Sequence, residues 1–200
     1  MRNLLIIPLF FIIISCNTNN DNDIILNDFK GYYKVTSINS ETEIDLNNDG
    51  IKSFNILEEI SSPHTTLNGI FSNFYNAENP RRYAEVRPTI YQSKTADTQF
   101  ISFNFPEQTI SYLNNDLILN IPLLMDYSTS MGPGIYYEFV NQNEIKIIDR
   151  YREWNSQFGE IKNLTRIDKT TFQINLDKIM FDFSSKQWKV LKLNATYKKV

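Results

Sequence analysis

The chain has 200 residues, enough for one domain of moderate size. Alanine occurs only 4 times, while isoleucine, valine, phenylalanine, tyrosine, tryptophan and threonine together supply 72 residues, a balance that excludes a helical bundle and favours sheet. A formal charge of −3 gives no reason to expect nucleic-acid binding, and a hydrophobic fraction of 42% excludes a disordered chain.

Met1-Arg2-Asn3 is a short basic start, and Leu4 to Ile14 is an apolar run of 11 residues, too short to span a bilayer. It reads as a secretory signal. Cys16 is the single cysteine, so no intramolecular disulfide can form and packing must supply the stability. The run Ile13-Ile14-Ser15-Cys16 resembles the lipobox of bacterial lipoproteins. That resemblance implies a signal peptide over 1–15 and lipidation, palmitate included, at Cys16; an ordinary signal peptide with a coincidental cysteine is the alternative. Residues 16–28 are polar and aperiodic and read as a flexible tether, leaving 29–200 as the folded domain. Asn17 is not the aspartate that resembles an inner-membrane retention signal, so an outer-membrane lipoprotein facing periplasm or exterior is expected.

Strand signals dominate the rest of the chain. Gly31 to Ile38 opens the series, and a polar stretch leads to Asp45-Leu46-Asn47-Asn48-Asp49-Gly50. One short helix is predicted next: Asn55 can cap it, Glu58 completes a capping box, and Pro63 stops it after Ile60. Residues 64–80 read as loop with at most one short strand. Further strands are predicted at Tyr83 to Ser93, Gln99 to Phe105, Asp116 to Leu124, Ile135 to Val140 and Glu144 to Trp154. Leu164 to Ile167 and Thr171 to Leu176 form a hairpin, then come Ile179 to Phe183 and Trp188 to Lys198 around Ser184-Ser185-Lys186-Gln187.

Short connections make neighbours antiparallel, and a meander of this length hides its edges best by closing. The expected fold is therefore all-β, an antiparallel up-and-down barrel of about 8–10 strands with one short helix. A membrane-spanning barrel is disfavoured because Lys189, Lys192 and Asn194, read as outward residues, are too polar for lipid. Residues 16–130 hold 15 acids and 7 bases, and 131–200 hold 8 acids and 12 bases, so early and late strands should attract each other.

The lipobox, the tether, the strand Gly31-Tyr32-Tyr33-Lys34-Val35, the Asp-x-Asn-x-Asp-Gly segment and the closing Ala195-Thr196-Tyr197-Lys198-Lys199 together resemble lipocalin-like lipoproteins of Gram-negative bacteria. The resemblance implies a lipocalin-like antiparallel barrel in the cell envelope, attached to the membrane through its N-terminal lipid.

One motif carries chemistry in its spacing. Asp45, Asn47 and Asp49 alternate before Gly50, as in a chain curled around calcium, with the carbonyl of Ile51 adding an oxygen. A bidentate glutamate is missing from the loop itself, and Glu59 is the freer candidate to supply it because Glu58 caps the helix. The alternative is an Asn-Asp-Gly turn that needs no ion.

Other constellations are weaker. His64, the single histidine, follows Pro63 in a polar loop and reads as solvated; Gly132-Pro133-Gly134 reads as a bend rather than a phosphate loop. Arg150, Arg152 and Trp154 share a strand face, and Phe71, Phe74 and Tyr75 form an aromatic loop, as sugar stacking or a plug for the barrel would require. Glu138, Asp149 and Glu153 are the acids from which a hydrolase would draw a carboxylate pair. The 24 asparagines suit turns and caps and point to no reaction. The sequence thus favours a monomeric, non-enzymatic binding protein holding a small apolar or amphipathic molecule. A surface glycan- or protein-binding module and a hydrolase are the alternatives.

Overall fold

A computed structural model describes residues 28–61, 71–73, 75–92, 95–112, 122–128, 134–141, 143–151 and 159–200. The signal peptide predicted over 1–15, Cys16, the predicted tether as far as residue 27, and His64 lie outside the described residues.

The opening strand β1, Gly31–Ile44, is rich in β-formers, and its inward side chains change parity once. Tyr33 and Val35 are buried, the register shifts between Val35 and Ser37, and Ile38 and Ser40 are then the buried residues. After it come β2 (Ser53–Asn55), α1 (Ile56–Ser61), β3 (Phe71–Asn73) and a 3-10 turn at Pro80–Arg82. The remaining strands are β4 (Ala84–Gln92), β5 (Thr95–Ser102), β6 (Glu107–Tyr112), β7 (Pro122–Ser128), β8 (Gly134–Phe139), β9 (Glu144–Tyr151), β10 (Glu160–Arg166), β11 (Thr171–Asp182) and β12 (Gln187–Lys199).

Strands β1, β4, β5, β8, β9, β10, β11 and β12 pair in that order, and β12 returns to β1. Every one of these pairings is antiparallel, so the fold is the closed up-and-down barrel expected from sequence. Two insertions decorate it: β2 extends the β1 edge ahead of α1, and β3, β7 and β6 make a separate three-stranded sheet. Among the described residues no helix is long and apolar enough to cross a membrane.

Several boundaries differ from those the sequence predicts. β1 runs on to Ile44, because Ser40 and Ile44 keep an inward face through residues that look polar. The two predicted strands at Thr171 to Leu176 and Ile179 to Phe183 are one, β11, since Lys178 continues the inward face with its side chain buried. β6 has no counterpart among the predicted strands, and β5 begins and ends earlier than expected. Lys192 and Asn194 face outward, whereas Lys189 reaches the buried carboxylate of Asp182.

An eight-stranded barrel has an interior just wide enough for side chains or one small ligand. Here rings occupy it. Phe172 stacks on Tyr197 at 4.8 Å, and Tyr33, Phe103 and Phe29 pack against Phe172 at 4.9–6.2 Å. Phe29 closes one end, in contact with Tyr137 and Phe139 and under the Arg166 guanidinium. The Tyr33 hydroxyl donates to the Phe29 carbonyl at 2.7 Å and fixes this plug. Leu46, Ile56 and Ile60, with Tyr127 and Phe181, form the buried layer at the other end. The interior is not wholly apolar. Lys178 lies over the Phe105 ring, burial lowering its ammonium to about 8, and the hydroxyls of Tyr137 and Tyr197 have no partner among the described residues.

The charge asymmetry is used at the seam. Lys169 pairs with Asp28 at 3.0 Å, Lys199 donates to the Asp28 carbonyl, and Lys192 lies 3.9 Å from Glu41. These exposed pairs orient the closing strands more than they stabilise them.

Candidate binding surface

The patterned loop sits where β1 leaves the barrel. Asn48 and Gly50 take positive φ of 61° and 82°, a conformation that asparagine and glycine tolerate best. The loop is held by its own side chains. Asp45 accepts from the N–H of Asn48 at 2.7 Å through one oxygen and of Gly50 at 3.1 Å through the other. Asn47 accepts from Asp49 N–H, and Asp49 from Ile51 N–H. Ile51 itself is exposed.

Asn55 caps the helix as predicted, Glu58 N–H donating to its Oδ1 at 3.2 Å, but the reciprocal bond of a capping box is replaced: Glu58 Oε2 accepts from Asn55 Nδ2 at 3.1 Å, and the Asn55 N–H donates to Ser53 Oγ. With Glu58 so engaged, Glu59 is the glutamate at the loop, where its Oε2 accepts from Leu46 N–H at 3.0 Å. Burial raises the Glu59 carboxyl to about 7; the Leu46 bond opposes this, and the negative charges of Asp49 and Asp45 add to it. Burial also raises Asp45, against the pull of its backbone bonds. Asp182, fully buried close by, receives the N–H of Asp45 and bonds from Lys189, Ser185 and Ser184. Burial alone would push its carboxyl up, but those donors hold it well below the usual carboxylate range. Among the described residues no group of three or more histidine, cysteine or acidic side chains is arranged to hold a metal ion.

The other candidates separate. Arg150 lies in β9 opposite Ile135, while Arg152, Glu153, Trp154 and Phe74 lie outside the described residues. Tyr75 is buried beneath Arg82 and donates to the Asn104 carbonyl, so it is a packing residue rather than a stacking platform. Glu138 is exposed and paired with Lys146 at 2.9 Å, and Asp149 is exposed on the neighbouring strand.

A feature missed in the sequence lies on the outer wall. In the strand register Asn163 faces Asn175, Asn175 faces Asn194, Asn194 faces Asn39, and Asn39 faces Asn55. One row of asparagines therefore crosses β10, β11, β12, β1 and β2, and Asn194 Nδ2 donates to Asn175 Oδ1 at 2.6 Å. Two grooves follow this row. One of about 430 Å³ is lined by Asn175, Asn194 and Asn39 with Lys162, Asp177 and Lys192; another of about 570 Å³ runs from Asn39 past Asn55 towards Asn76 and Glu78. Outward parity in adjacent strands was the available signal, but only the register aligns these residues. Comparison with protein-family models, curated proteins and solved structures finds no match for this chain.

Proposed function

We propose that the protein is a lipid-anchored binding module of the cell envelope, akin to the lipocalin-like lipoproteins, that takes its ligand on the outer wall of the barrel. The observation that carries this reading is the filling of the interior: Phe29, Tyr33, Phe103, Tyr137, Phe172 and Tyr197 occupy the space a small apolar ligand would need, while the grooves lie outside. The expectation of an apolar ligand within the barrel loses its support in that same packing. Acylation at Cys16 would hold the chain to the outer membrane, and the module binds as a monomer without transforming what it holds.

For the loop from Asp45 to Ile51 the hydrogen bonds favour a self-supporting turn, with calcium, held by Asp45, Asn47, Asp49, the Ile51 carbonyl and Glu59, as the competing occupant. The ligand site is tested on the full-length protein in mild detergent. Retention on arrays of glycans and peptides is expected, with no saturable uptake of an apolar naphthylamine fluorophore. Saturable uptake by the fluorophore together with silent arrays would return the ligand to the interior.

A further inference from the structure

We infer that the asparagine row is a track for a neutral, extended glycan lying across the strands, an inference that rests on the binding-module reading. Asparagine is depleted in strands because its amide competes for backbone hydrogen bonds in turns. Turn and cap duties account for Asn47, Asn76, Asn79 and Asn141, each accepting a nearby backbone N–H, and for Asn55 at the start of α1. They do not account for Asn163, Asn175, Asn194 and Asn39. Among the described residues these four side chains make no bond to backbone, and they stand in register on the outward side of four adjacent strands. A breach of local propensity repeated in one row, whose contribution to the fold is the single Asn194–Asn175 bond, marks a surface shaped for binding.

The chemistry of the row selects its occupant. A primary amide accepts from one hydroxyl and donates to the next, which suits the vicinal hydroxyls of a sugar. Adjacent strands lie about 4.8 Å apart, close to the length of one hexose unit in an extended chain, so successive amides meet successive sugars. A second uncharged row, Thr165, Gln173, Thr196 and Ser37, runs beside the first, with Gln173 Nε2 donating to Thr196 Oγ1 at 3.2 Å. The flanking charges are answered within the chain, Lys162 by Asp177 and Glu160 and Lys192 by Glu41, so the track asks for no charged ligand. A peptide fits less well. The barrel strands β10, β11, β12 and β1 beneath the row have partners on both sides, the one edge under it is the three-residue β2, and the row carries no aromatic anchor. Asn39 lines both grooves, which makes the track continuous past β1.

The test is calorimetric titration of the full-length protein in detergent with cello-, manno- and chito-oligosaccharides of increasing length. Affinity for at least one series is expected to rise with length and level off at about four or five sugars, the span of the row. Asn39→Ala and Asn194→Ala should each weaken binding by about fivefold to tenfold, as loss of hydrogen bonds to a sugar predicts, while melting temperature and circular dichroism stay those of wild type. Absence of binding to every neutral series, or binding indifferent to both substitutions, would overturn the track. Retention on peptide or acidic-glycan arrays in that event leaves the binding module standing without the track, whereas silence on all arrays removes both.

Discussion

Glu59 and Asp182 are acids of opposite temper within one end of the barrel. Glu59 is raised from 4.5 to about 7, so its protonated form is the one the fold prefers. Its stabilising contribution is complete below the unfolded value and is lost as pH climbs from about 4.5 through about 7. Asp182 is held low, so its contribution is present above the ordinary carboxylate range and is lost on strong acidification. Glu59→Gln keeps an oxygen to receive Leu46 N–H and removes the charge. The variant should melt with wild type at pH 4 and above it at pH 8, by roughly 2–4 °C, the shift that about 1 kcal/mol produces in a domain of this size. Equal melting at both pH values, followed by circular dichroism, would show that the Glu59 carboxyl titrates normally.

At the scale of elements, the loop after β1 is held by carboxylate and amide acceptors that its own N–H groups fill. Calcium titrated into the full-length protein is therefore expected to give no binding heat; heat that disappears in Asp45→Ala and Asp49→Ala would assign the loop to the ion. Local signals in the sequence were sufficient for this loop and for α1, because an N-cap is written within four residues and Asn55 and Glu58 find each other without help from the fold. They were also sufficient for the alternation of β12. They failed where burial came from afar. The continuity of β11 depends on a lysine that the barrel encloses, and β1 extends past Glu41, Thr42 and Glu43 because β2 pairs with it on either side of them, at Asn39 and at the buried Ile44. The asparagine row was the least legible feature, since its members are spread from position 39 to position 194 and only long-range register joins them.

For the whole molecule, antiparallel closure was readable from the number of strands and the shortness of their connections, but the filling of the interior was not. Tyr33 and Phe172 lie 139 positions apart in the sequence, and only the closed wall sets their rings 4.9 Å from one another. The anchoring proposal is likewise a statement about the whole chain. Cys16→Ser is expected to shift the protein from the membrane pellet to the soluble fraction on cell fractionation and to abolish palmitate labelling; an unlabelled wild type in the soluble fraction would remove the anchor.

The seam between β1 and β12 also sets an order of events. Val200 N–H donates to the Tyr32 carbonyl at 3.0 Å, so the two ends of the wall meet last in any synthesis that runs from one to the other. A chain made only as far as β11 has two raw margins, one on β1 and one on β11, each able to recruit a stranger. Contacts so distant along the chain close slowly. The unfinished protein is thus most exposed to mispairing just before its final thirteen-residue strand arrives, and a helper that shields β1 until then would raise the yield of closed barrel more than any added stability of the finished one.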